Sequence, residues 1–130
     1  MGHHSRVQKV VVDVPSSVRD SEVAFWRGAT AAEFRAFEAY PEYEGGALPA
    51  SHLWLLVQDI GDSPARIHLD VHTDDVEAEV ARLAALGAVP DPGLPNPDWV
   101  VMRDPAGLPF CVVPSRPGSL DASNATYWDD

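Results

Sequence analysis

The stretch from Arg66 to Gly87 constrains the fold more than any other part of the chain. Arg66-Ile67-His68-Leu69-Asp70-Val71 alternates polar and apolar residues, the period of a strand with two unlike faces. Val76, Val80, Leu83 and Leu86 then recur at helical spacing, and Gly87 supplies a stop. Thr73 or Asp74 is placed to cap that helix. A strand feeding into a helix with one apolar stripe calls for a sheet that the stripe can cover. Alternation then assigns sides. Ile67, Leu69 and Val71 are expected to face the helices, and His68, Asp70 and His72 to share the opposite face.

The same order of elements occurs once before. Val7 to Val14, rich in β-branched Val10, Val11, Val12 and Val14, reads as a strand that Pro15 ends. Ser17 and Asp20 have the spacing of a capping box for a helix from about Val18 to Arg27, with Val23 and Trp26 on one face and Gly28 as its stop. Two short strands are expected near Glu33–Glu38 and Tyr43–Leu48, joined by turns at Pro41 and Gly45-Gly46. Leu53 to Gln58 is an apolar strand, and Asp59 to Pro64 a polar connection between halves. Glu22-Val23-Ala24 and Glu79-Val80-Ala81 are identical; chance could supply that on Ala-rich helices, so the matching order of elements weighs more.

Beyond the second helix, Pro90, Pro92, Gly93, Pro95 and Pro97 make a stiff loop. Strands follow at Trp99–Met102 and Pro109–Pro114, joined by a turn at Asp104-Pro105-Ala106-Gly107. The expected organisation is a flexible N-terminus or tag remnant at 1–6, a domain at 7–114 with modules at about 7–60 and 65–114, and a C-terminal tail at 115–130. His3 and His4 are set aside from site reasoning. Tyr127 and Trp128 are expected to dock, because disordered tails are poor in aromatics.

Composition narrows the function classes. The formal net charge of -11, from 20 acidic and 9 basic residues, repels nucleic acid and anionic lipid. No apolar run approaches the roughly 20 residues of a membrane helix. Cys111 is the single cysteine, so no internal disulfide forms, in agreement with a cytoplasmic location.

Arg66 to Val71, Asp75 to Leu83, Leu86-Gly87-Ala88 and the hairpin Trp99 to Cys111 together resemble the second half of glyoxalase-like domains. Phe25-Trp26 and Leu55 to Gln58 look like the matching signatures of the first half. This vicinal oxygen chelate superfamily, which includes bleomycin-resistance proteins and dioxygenases, implies an α+β fold. Two βαβββ modules would form a curved mixed sheet around a central pocket, with helices outside. The resemblance makes the face of His68 and Asp70 the pocket side, with Gln58, Cys111, Trp54 and Trp99 as further candidates for ligand binding.

Metal-dependent members hold a divalent ion with His and Glu from equivalent strands. His68 matches one ligand position, but Gln58, Cys111 and Val11 stand at the others and make a poor set for such an ion. If a metal is present, His68 with Gln58 and Cys111 would hold it. Otherwise His68 is a structural histidine, a ligand contact or an acid/base group. Asp70 could orient it, or form a salt bridge with Arg66 or Arg103. Cys111 reads as an inert thiol, and Trp54 and Trp99 as core residues or stacking faces.

The implied function is binding of a small organic molecule without a metal or other cofactor, for sequestration, carriage or metal-independent chemistry. The alternative is a metal-dependent lyase, isomerase or dioxygenase of the same superfamily, and whether a reaction is catalysed stays open. The family also implies a homodimer.

Overall fold

The computed structural model describes residues 2–93 and 96–129, so Pro95 of the proline-rich loop lies outside the described residues. Among the described residues, nine strands and two α-helices follow in the order β1 (Gly2–Val14), α1 (Arg19–Thr30), β2 (Arg35–Ala36), β3 (Tyr43–Ala47), β4 (Trp54–Asp59), β5 (Arg66–Thr73), α2 (Val76–Ala85), β6 (Val89–Pro90), β7 (Val100–Arg103), β8 (Pro109–Pro114) and β9 (Thr126–Asp129). This is a mixed α+β fold in which strand–helix–three strands occurs twice. Among the described residues, no helix is long and apolar enough to cross a membrane.

The chain divides into two compact units, one of Lys9–His68 and one of Met1–Gln8 with Leu69–Asp130. In the first, called the inner unit, the strand order is β2-β3-β4-β1, with β1 parallel to β4 and β4 antiparallel to β3. Pairing sets Val12 opposite Val57 and Val10 opposite Leu55. These residues, with Val14, pack against Val23 and Trp26 of α1, so one face of the sheet is the core. Gly45 and Gly46, expected at a turn, lie inside β3. A Cβ on Gly45 would collide with the Leu55 carbonyl, and one on Gly46 with the Glu33 carbonyl. Close backbone approach, rather than chain reversal, therefore requires these glycines.

Helix α1 departs from its expected ends. Val18 at its start has no side-chain cap, so Ser17 and Asp20 form no capping box. The helix runs through Gly28 to Thr30 and stops at Ala31, which adopts a left-handed conformation at φ 59°. Its amide bonds the Arg27 carbonyl, and the Thr30 hydroxyl bonds the Trp26 carbonyl, so the last turn is closed without glycine.

In the second, or outer, unit the strand order is β5-β8-β7-β6, and the first residues of β1 pair with β9. Met102 and Val112 are fully buried and form a core with Ala88, against which Val76, Val80 and Leu83 of α2 pack. Three members of the expected stripe thus meet the sheet, while Leu86 is exposed. The cap of α2 is Asp75, which accepts from the Ala78 amide, rather than Thr73 or Asp74. The Thr73 hydroxyl accepts the Asp75 amide, and Asp74 accepts the backbone and ring nitrogens of His4.

Ile67 and Leu69 do not face the helices: they are 60% and 42% exposed, and Val71 is half-buried. Residues of β1 and β4 fill the space under α1, and residues of β7 and β8 that under α2. Alternation fixed which β5 side chains share a face, but the helices cover other strands.

Parts of the segments outside the expected domain form strands. Residues 2–6 belong to β1, and part of the tail forms β9, with His3 paired to Trp128 and His4 to Tyr127. A Cβ on Gly2 would collide with the Tyr127 phenol. Trp128 docks through a 2.9 Å hydrogen bond from its indole to the Ser5 hydroxyl.

Candidate functional site

In the inner unit, strand pairing selects one non-core face. Asp13 pairs with Gln58, Val11 with Leu56 and Lys9 with Trp54, so these side chains share the face opposite Val12 and Val57. Asp13 is completely buried. One of its carboxylate oxygens accepts from His68 Nδ1 at 2.7 Å and from Arg66 Nε at 3.1 Å. The other, Oδ1, is buried and has no hydrogen-bond partner among the described residues. Gln58 and His68 thus flank Asp13, and Trp54 stands four residues up β4 on the same face.

Asp13 escaped the sequence reading because it stands in a run of valines taken as a simple apolar strand. The signal was there: an acid among residues that must be buried needs partners. Here they are His68 and Arg66, so Arg66 serves Asp13, while Arg103 bonds Asp91 at 2.7 Å. Neither arginine is the salt-bridge partner expected for Asp70.

The hydrogen bond to Asp13 also has chemical consequences for His68. A neutral imidazole that donates from Nδ1 carries its lone pair on Nε2, and the carboxylate fixes the ring orientation.

In the outer unit, Asp70 on β5 pairs with Cys111 on β8, which pairs in turn with Val101 on β7. A carboxylate oxygen of Asp70 lies within 4.8 Å of the Cys111 sulfur. Asp70 is buried and Cys111 half-buried. Along β5, Asp70 shares its side of the strand with His72 and with His68 two residues earlier. Trp99 precedes β7, outside the strand, and is half-buried.

Of the metal-ligand positions expected in the inner unit, Val11 offers only hydrocarbon and Gln58 a neutral amide, poor donors for a divalent ion. The same face also carries the Asp13 carboxylate and the His68 imidazole, suitable donor types that bond each other.

The outer unit holds a second buried acid that the sequence reading also passed over. Glu79 of α2 is fully buried and meets His3 Nε2 at 2.7 Å. Both oxygens also accept from Arg82, from Nε and Nη2, each at 2.8 Å. Burial would push the Glu79 carboxyl up, but hydrogen bonds from Arg82, His3 and Ser5 outweigh it and hold the group below its ordinary value. Trp128 stacks on the Arg82 guanidinium, 3.8 Å from the ring centre. His3, set aside as terminal, is therefore a structural residue.

Comparison with known proteins agrees with this architecture. A hypothetical protein from Bacillus halodurans superposes with a TM-score of 0.63 at 9% identity, over 90% of this chain and 99% of that one. A methylmalonyl-CoA epimerase in complex with methylmalonyl-CoA gives a TM-score of 0.59 at 15% identity, over 88% and 96% of the two chains. A xylose isomerase-like TIM barrel/4-hydroxyphenylpyruvate dioxygenase fusion protein gives 0.58 at 18% identity, over 93% of this chain and 22% of that one. At these identities the likeness concerns the fold. No curated protein sequence matches the chain. The profile of the glyoxalase-like domain matches residues 9–113, which is most of the chain, and the chain belongs to the glyoxalase-like domain family.

Proposed function

We propose that the chain binds a small organic molecule through the polar face of the inner unit, without requiring a metal. The bare Oδ1 of Asp13 carries this reading. A buried acceptor left without a donor costs about 1–3 kcal/mol. A ligand hydroxyl or amide that donates to it recovers that cost, and His68, oriented by Asp13, supplies a second polar contact. Gln58 and Trp54 extend the same face, and in the outer unit Asp70, Cys111 and Trp99 are separately proposed as ligand contacts. The reading covers sequestration, carriage and metal-independent chemistry. It includes a homodimer, supported by the exposed apolar Ile67 and Leu69 and tested by light scattering against the 14.1 kDa monomer mass.

The test is a thermal-shift screen of small hydroxylated organic acids, followed by calorimetric titration of the best binder. His68→Ala and Asp13→Asn are each expected to weaken binding by about 1–3 kcal/mol. Unchanged affinity in both variants removes this face from the ligand site.

A second reading, a metal-dependent lyase, isomerase or dioxygenase, is favoured by the Asp70 carboxylate lying within 4.8 Å of the Cys111 thiol. Elemental analysis after loading with Zn, Ni, Mn and Fe(II) decides it. Stoichiometric metal lost in Cys111→Ala supports that reading, and metal-free protein removes it.

A further inference from the structure

In the inner unit, a cavity of about 380 Å³ opens beside the β2–β3 hairpin. Its shape follows from strand pairing. Arg35 on β2 pairs with Gly45 on β3, and Ala47 on β3 pairs with Trp54 on β4. Directly paired residues point to the same side, so Arg35, Gly45, Ala47 and Trp54 share one side, and Arg35 and Trp54 both line the cavity. Ala32, at the exit of α1, is buried and closes one wall. Phe37 stands beside Trp54 with ring centroids 6.4 Å apart and helps fix the indole.

The cavity does not share the acidic excess of the whole chain: its lining holds one base, Arg35, and one acid, Glu33. With a net charge of -11, most of the surface repels anions. Here Arg35 lines the cavity, and Lys9 pairs with Trp54 from β1 on the same face. Glu33 also lines the cavity and contacts Arg35 at 3.6 Å, with the two side chains 87% and 82% exposed. An ion pair that exposed is held weakly, so a ligand carboxylate can replace it at small cost.

We infer that this cavity takes a flat organic anion, with its planar part against Trp54 and its carboxylate on the Arg35 guanidinium. The volume falls within the range of small-molecule pockets, about 300–1,000 Å³. An aromatic wall opposite a guanidinium suits a planar acid, because the indole face takes the ring and the guanidinium takes a carboxylate with two parallel bonds. The inference sharpens the proposed function by naming a ligand class, and it rests on that reading only in having the inner unit bind a small organic molecule.

The experiment uses the full chain and two probes, 2-naphthoate and its neutral amide, 2-naphthamide. Calorimetry is expected to show naphthoate binding, with Arg35→Gln weakening it about tenfold while changing naphthamide by less than about twofold. Trp54→Leu is expected to weaken both probes. Amide shifts of ¹⁵N-labelled protein on adding naphthoate are expected at Gly45, Gly46 and Ala47. No naphthoate binding, equal loss of both probes in Arg35→Gln, or shifts confined to other residues each overturn the inference. Circular dichroism confirms that the variants fold, and Trp54→Phe, which keeps an aromatic face, is expected to retain part of the affinity. Naphthoate affinity kept in His68→Ala but lost in Arg35→Gln supports the cavity while counting against His68 as a ligand contact. The reverse pattern overturns the cavity and leaves the His68 reading in place.

Discussion

Asp13 in the inner unit and Glu79 in the outer unit are nearly the same object with opposite outcomes. Each is a fully buried carboxylate that meets a histidine at 2.7 Å and accepts from an arginine. Glu79 has both oxygens engaged, with Arg82 forked across them and Trp128 stacked on that guanidinium. Asp13 puts both donors on one oxygen and leaves the other bare. The Glu79 cluster is closed among protein groups, whereas Asp13 keeps one buried oxygen without a donor among the described residues. Burial and charge alone do not tell the two apart; the number of engaged oxygens does.

The comparison breaks most sharply in stability. Glu79→Ala leaves His3 and Arg82 without their shared acceptor and is expected to cost about 3–5 kcal/mol in urea unfolding. Asp13→Ala removes a carboxylate that was only half satisfied and is expected to cost less, about 1–3 kcal/mol. Equal losses would show that the bare oxygen carries no meaning.

Acid sharpens the same contrast. The folded-state pKa of Glu79 lies below its ordinary value of 4.5, so the unfolded chain binds the proton more readily. The stability that this group contributes is present above 4.5 and is lost as the pH falls through its lowered folded value. Urea midpoints measured at stepped acid pH should fall in the wild type, and Glu79→Gln should flatten that part of the slope. An unchanged slope would remove Glu79 from the acid response.

Smaller effects follow for the parts around each cluster. Trp128→Ala removes the stacking on Arg82 and the indole bond to Ser5, for an expected loss of about 1–2 kcal/mol by thermal unfolding. Asp75→Ala deletes the cap of α2 and should cost about 1 kcal/mol. Ser17→Ala, before the uncapped start of α1, should change stability by less than about 0.5 kcal/mol. A similar loss in both would mean that the two helices start alike.

Much of the fold was legible. The alternation of Arg66–Val71 gave β5, the stripe of Val76, Val80 and Leu83 gave α2, and the order of elements gave the repeat. The shared side of His68 and Asp70 followed from the same period. Asp13 was missed because a run of valines reads as a strand whatever interrupts it. Glu79 was missed because an acid on a helix usually faces water. Residues 2–6 and 126–129 were missed because neither shows a strand period strong enough to be read alone; they order each other, His3 opposite Trp128.

The sequence by itself determined most of the elements, their order and which side chains share a face, because periodicity is a property of neighbours along the chain. It could not determine which face is covered. Ile67 and Leu69 have the apolar pattern of a buried face and yet are exposed, since the helices lie over other strands. Nor could it determine what a buried charge meets. His68 lies 55 residues from Asp13, and His3 lies 76 from Glu79. Burial and ion pairing depend on distances in space, and at such separations only the paired strands and the packed helix bring the groups within reach.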